Sequence, residues 1–281
     1  MILVSDIIKL WKYKGKSKGD PMNIKMIVTD LDKTLLRSDK TISDFTKQIF
    51  SACSKEGILL AFASARSEMS CMGFAKQVSP FAIISSSGSL ARIGETVIYR
   101  AAVNQDITNK LLQLCLEQSQ VGFITADTDV GHLVNQPVDE NDPNWTDYLP
   151  VYETDFTKGL KGDSYKIAAE IHGLDSHIID AIPSTFPTVR VVPFAGENWF
   201  CFTDKLANKF NGVKALANHM NIPIKDVIAF GDDYSDIEMI RDCGVGVAME
   251  NAIAEVKAVA DYICDTNDND GVAKWLQKHL L

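Results

Sequence analysis

The chain has 281 residues, 46% of them hydrophobic, and a formal net charge of −9. That length fits one large domain or two moderate ones with a buried core. The acidic balance excludes non-specific attraction to nucleic-acid phosphates, and no run approaches the roughly 20 apolar residues of a membrane span.

Six scattered cysteines, with no Cys-x-x-Cys pair, are expected to be buried thiols of a cytoplasmic protein in reducing surroundings. Clustered zinc ligands are absent. Residues 1–21 read as an N-terminal extension. Their apolar part is interrupted by Asp6 and Lys9, and the basic residues follow it, the reverse of a secretory signal.

From residue 24 the pattern alternates between strand and helix. Residues 24–29 form a short β-rich run suited to a strand buried on both faces. A helix follows, with Ser43 as N-cap, Phe45, Ile49 and Cys53 at helical spacing, and Gly57 where the chain leaves it. Residues 58–63 and 81–84 give two further buried strands around a second helix. Late in the chain a helix carrying Phe210, Val213, Leu216 and Met220 precedes a strand over 227–230. A short helix at Ile237 and Ile240 precedes a strand over 245–248, and the closing helix shows Val272, Trp275, Leu276 and Leu280 on one face. Such alternation predicts a parallel sheet with helices on both sides.

The middle of the chain differs. Tyr165, Ile167, Ala169 and Ile171 alternate with Lys166, Ala168, Glu170 and His172, one face dry and one wetter, as in an antiparallel sheet. Further strands are expected over 96–99, 121–124 and 189–192, helices near 111–116 and 178–182, and a loop over 139–144. The expected organisation is an α/β, Rossmann-like core over 22–91 and 196–281, with an α+β cap domain inserted over 92–195.

Ligands of open parallel sheets bind beyond the carboxyl ends of the strands, and chemistry-bearing residues gather there. Asp30-Leu31-Asp32-Lys33-Thr34 follows the first strand. One carboxylate can attack phosphorus while the other gives a proton to the leaving oxygen and later activates water. Ser64-Ala65-Arg66 ends the second strand. Its hydroxyl and following N–H groups suit phosphoryl oxygens, although taken alone the serine reads rather as a cap of the next helix. Lys209 offers a compact ammonium. Gly231-Asp232-Asp233-Tyr234-Ser235-Asp236 follows the strand over 227–230. Its glycine is expected to let the backbone turn sharply, Asp232 to complete a Mg²⁺ site with Asp30, and Asp236 to lie one helical turn on.

These motifs resemble those of the haloacid-dehalogenase superfamily, in particular the Cof-type hydrolases with a type IIB cap, over nearly everything from Met22 to Leu281. The tail is similar too: Asn251-Ala252, Ala260-Asp261-Tyr262 and Asn269-Asp270-Gly271-Val272. The resemblance implies that Asp30 is the nucleophile and Asp32 the acid/base. It implies a Mg²⁺ held by the carboxylates of Asp30 and Asp232 and the backbone carbonyl of Asp32. Leu31, Ser64, Ala65, Lys209 and Ser235 would bind phosphate, with Asp236 and Arg66 in support. Lys33, Ala65, Ser87 and Ser235 depart from the family's usual Gly, Gly, Asn and Asn, which bears on substrate preference.

The implied activity is a Mg²⁺-dependent phosphatase acting on sugar phosphates or similar small phosphorylated metabolites through an aspartyl-phosphate. The insert would act as a lid, with His132, Trp145 and the loop over 139–144 as candidate contacts. A phosphotransferase or phosphomutase on the same scaffold, and a non-catalytic phosphate-binding protein, are the alternatives.

Overall fold

The computed structural model describes residues 23–172 and 177–281. The extension expected over residues 1–21 lies outside them. Among the described residues the strands form two sheets, each with its own hydrophobic core.

The first sheet contains β1 (Met26–Thr29), β2 (Leu59–Ala63), β3 (Ala82–Ser85), β4 (Leu90–Ile93) and β5 (Thr96–Arg100). The second holds β6 (Val121–Thr128), β7 (Gly131–Val134), β8 (Val151–Glu153), β9 (Ser164–Ile171), β10 (Val189–Pro193) and β11 (Trp199–Asp204). The chain then returns to the first sheet with β12 (Val227–Gly231), β13 (Val245–Ala248) and β14 (Tyr262–Ile263).

The first sheet runs β14-β13-β12-β1-β2-β3-β4-β5, parallel through β3 and antiparallel across β3-β4-β5. Every residue of β1 is fully buried, as a central strand covered on both faces must be. The chain moves outward one way from β1 to β2 and β3, and the other way from β12 to β14. The order therefore reverses between β1 and β12, where open α/β sheets bind ligands. Ser43 caps the helix Asp44–Lys55 by accepting the Thr46 N–H, and Gly57 follows with φ +77°, both as expected.

Sheet membership departs from the expected boundaries of the insert at both ends. The hairpin of β4 and β5 extends the first sheet, burying Leu90 and Ala91. At the far end, β11 pairs with β9 and β10 and sends Phe202 into the second core. The second sheet's strands thus run from Val121 to Asp204, where the insert was expected over 92–195. The loop expected over 139–144 ends in a short helix, Pro143–Thr146. The second sheet runs β10-β11-β9-β6-β7-β8. All six cysteines are free and buried. No helix among the described residues is long and apolar enough to cross a membrane.

Candidate active site

Three adjacent strands, β12, β1 and β2, end side by side, with Phe230, Thr29 and Phe62 in register. Neighbouring strands lie about 4.8 Å apart, so the residues that follow them must meet. The Asp30 N–H donates to the Phe230 carbonyl at 3.0 Å, which extends the ladder one step and fixes the Asp30 backbone beside Asp232. Carboxylate oxygens of Asp30, Asp232 and Asp236 all lie within 4.8 Å of one another.

Lys209, the first residue of the helix Lys209–His219, is 1% exposed, and its Nζ donates to Asp30 Oδ1 at 2.7 Å and Asp236 Oδ1 at 2.6 Å. The other oxygen of Asp236 accepts the N–H groups of Asp232 and Asp233 at 2.9 and 3.0 Å. Asp236 is therefore saturated with donors and props up both the lysine and the turn. Gly231 has a different role from the one expected. It needs no positive φ, but a Cβ there would lie 2.5 Å from the Asp236 side chain.

Three buried carboxylates around a single ammonium leave an excess of negative charge. Burial, reinforced by Asp30 and Asp236, pushes the Asp232 carboxyl up to about 9. Burial pushes Asp30 up to about 7 against the pull of Lys209. A hard divalent cation answers this excess, because carboxylate oxygens are the ligands Mg²⁺ prefers. Among the described residues, Asp30, Asp232 and Asp236 could hold such an ion, and Asp236 already accepts three hydrogen bonds. Thr34 Oγ1 donates to Asp232 Oδ1 at 2.7 Å and orients that carboxyl.

The sign of the pH dependence follows. Both carboxyls titrate above their ordinary 3.8, so at these two groups the folded protein holds more protons than the unfolded chain between about pH 4 and pH 9, and their contribution to metal-free stability falls as pH rises through that window. A cation must displace those protons. Saturating Mg²⁺ is expected to raise Tm by roughly 5–10 °C near pH 8.5 and by much less near pH 5.5. Thermal melts at the two pH values check it, and an equal shift at both would sink this account of the charge excess.

Asp32 keeps an extended backbone, with φ −68° and ψ 131°, and the chain turns at Lys33, which lies in the left-handed region at φ +57°. That conformation explains why glycine suits position 33. Here the Lys33 carbonyl accepts from Asn251 Nδ2 at 2.7 Å. Arg66 grips Asp32 with both arms of its fork, Nε to Oδ2 at 2.6 Å and Nη2 to Oδ1 at 2.8 Å, and Lys40 adds a third donor at 2.6 Å. Burial alone would raise this carboxyl, but Arg66 and Lys40 outweigh it and hold it at about 2. Arg66 itself is buried between the rings of Phe74 and Tyr148 and donates to the Asp147 carbonyl at 3.2 Å.

Ser64 is buried at the end of β2, and its Oγ accepts the Arg66 N–H at 3.2 Å. It does not cap the next helix. Ser67 does that, three residues on, accepting from Ser70 N. Leu31 has a fully buried side chain, so only its backbone can address a phosphate. Ser64, Ala65, Arg66, Lys209, Asp232 and Ser235 line a partly open cavity of about 570 Å³ that residues of both sheets border.

The roof of that cavity is the wetter face of the second sheet, with Lys166, Ala168 and Glu170 pointing into it. The dry face packs Ile167, Ala169 and Ile171 into the second core. His132 and Trp145 also line the cavity, as expected of lid contacts. A polar node ties roof to floor. Lys166 Nζ donates to the Ala65 carbonyl at 2.6 Å and lies 3.1 Å from Asp127 Oδ2. Asp127 also accepts from Ser86 Oγ at 2.8 Å and meets His132 Nδ1 at 2.5 Å. Lys40, Asp127, Asp147, Tyr148 and Lys166 escaped the sequence reading.

Residues 27–276 match the family described as haloacid dehalogenase-like hydrolase. Similar proteins of Bacillus subtilis (strain 168) include stress response protein YhaX, 26% identical over 92% of this chain and 94% of that protein, and YcsE, named 5-amino-6-(5-phospho-D-ribitylamino)uracil phosphatase, 25% identical over 93% and 98%. Among solved structures, the subclass IIB sugar phosphatase BT4131 has the same fold, with a TM-score of 0.79 and 23% identity over 90% of this chain and 98% of that one. With the family's pattern matched across 250 consecutive positions and a parallel-sheet core bearing an inserted second sheet, this chain belongs to the haloacid dehalogenase-like hydrolases.

Proposed function

We propose that this enzyme is a Mg²⁺-dependent phosphatase that hydrolyses small phosphate monoesters through an aspartyl-phosphate on Asp30. The observation that carries the reading is the meeting of Asp30 and Asp232 within 4.8 Å at the reversal point of the sheet, with Lys209 bonded to Asp30.

In this reading Asp30 attacks phosphorus, forming a carboxyl-oxygen-to-phosphorus bond as the bond to the leaving oxygen breaks. Asp32, in its protonated form, gives that oxygen its proton, a step that the Arg66 and Lys40 contacts of the free site oppose. Asp32 then takes a proton from the water that attacks phosphorus and frees Asp30. Ser64 Oγ, the Ala65 N–H and the N–H of Leu31 hold phosphoryl oxygens, with Ser235 beside them. Lys209 offsets the charge gathered around Asp30. When bound by the Asp30 and Asp232 carboxylates and the Asp32 carbonyl, Mg²⁺ supplies charge neutralisation for the phosphoryl group. The second sheet covers the site and excludes bulk water.

The grip of Arg66 favours the ionised form of Asp32, which is the form that activates water. Removing the fork in Arg66→Gln is expected to raise the Asp32 pKa by about one unit or more. The acidic limb of the kcat profile then moves up by a similar amount. A pH–rate series on wild type and variant tests this, and superimposable acidic limbs would contradict it.

The reading as a whole is tested by a phosphate-release screen over sugar phosphates, nucleotides and acetyl phosphate, with Mg²⁺ and with a chelator. Release that requires Mg²⁺ and places label from ¹⁸O-water in the phosphate is expected. Turnover unaffected by chelation would count against it.

A further inference from the structure

We infer that the preferred substrate is an elongated monoester: a phosphate joined through a short hydroxylated spacer to a flat heteroaromatic ring. This rests on the phosphatase reading and names the substrate class for that site.

The roof is graded along the strands. Nearest the catalytic end, Lys166 pairs in register with Asp127, which itself faces His132 on β7. Both Lys166 and His132 line the cavity, and they suit hydroxyl groups close to the phosphate. Two residues further along β9, Ala168 pairs with Thr125, and small side chains there leave width for a chain of carbons. Another two residues on, Glu170 pairs with Trp199, and the surroundings become aromatic. The ring centroids of Phe123 and Trp145 are 4.7 Å apart and those of Phe123 and Trp199 6.1 Å, tilted by 36° and 48°. All three are only partly buried and face the cavity.

From Lys166 to Glu170 the strand advances roughly 13 Å. A hexose phosphate would leave the aromatic end empty, whereas a ring on a spacer reaches it. Half-covered indole and phenyl faces offer stacking. The Glu170 carboxylate, 3.4 Å from His172, is an acceptor for N–H groups on the edge of such a ring.

The test uses matched pairs that differ only in the ring: uridine 5′-monophosphate against ribose 5-phosphate, and flavin mononucleotide against ribitol 5-phosphate. With Mg²⁺ present, kcat/KM for the ring-bearing member is expected to exceed that of its partner by at least about tenfold. The ratio should collapse toward one in Trp145→Ala and Trp199→Ala. Because the ratio is taken within each variant, loss of folded enzyme cancels. Ratios near one in wild type, ratios unmoved by both substitutions, or turnover of acetyl phosphate alone would each overturn this inference and leave the phosphatase reading standing. No Mg²⁺-dependent release from any of the five compounds would overturn both.

Discussion

Asp30→Asn is expected to abolish Mg²⁺-dependent phosphate release, lowering kcat by at least about 10⁴-fold, while raising the Tm of the metal-free protein. The amide keeps the shape of the carboxyl and can still accept from Lys209 through its oxygen, so the loop is not disturbed. What it loses is the proposed nucleophile. Stability moves the other way because one of three buried carboxylates clustered within 4.8 Å is gone. Burial no longer opposes an ionised Asp30, and its repulsion of Asp232 disappears. Catalytic sites commonly hold such stored repulsion. Single-turnover phosphate release and a thermal melt in chelator check the two halves. Wild-type-like turnover in the variant would remove Asp30 from the mechanism, whatever the melt showed.

Lys209→Met should move stability in the opposite direction. The methionine fills similar space but leaves Asp30 and Asp236 buried without their shared cation. Breaking a buried pair in this way costs roughly 3–5 kcal/mol, which for a protein of this size is a fall in Tm on the order of 10 °C. Phosphate release should drop by about 10²–10³-fold, as when one preorganised donor is taken from a charged transition state. The loss of Tm should be smaller near pH 5 than near pH 8, because protonating Asp30 removes part of the uncompensated charge. Melts across that range decide it. A variant as stable as wild type at every pH would mean that the ammonium is not the counter-ion of the cluster.

The two substitutions lie on one hydrogen bond yet are predicted to have opposite effects on stability, and that contrast tests the excess of negative charge directly.

Much of the catalytic floor was legible in the sequence because it depends on local order. Asp30, Ser64 and Asp232 each follow a short apolar run, and parallel neighbours bring such ends together without further information. Lys209 was less legible. A lysine opening a helix is ordinary, and only its likeness to a family motif marked it out. The Arg66 fork on Asp32 and the Lys166 bond to the Ala65 carbonyl span 34 and 101 residues, and no periodicity encodes contacts of that range. The strand expected over 96–99 was assigned to the insert because a strand pattern does not tell which sheet supplies the partner. Gly231 was expected to let the backbone turn sharply, whereas its lack of a side chain makes room for Asp236.

The alternation along β9 has a consequence for how this enzyme can change. Ile167, Ala169 and Ile171 answer to the oily interior of the second sheet's core, while their neighbours Lys166, Ala168 and Glu170 answer to whatever enters beneath it. Exchanging Ala168 or Glu170 therefore alters the shape offered to a guest without touching the packing that holds the lid together. Selectivity can drift from one metabolite to another by steps that the fold scarcely registers.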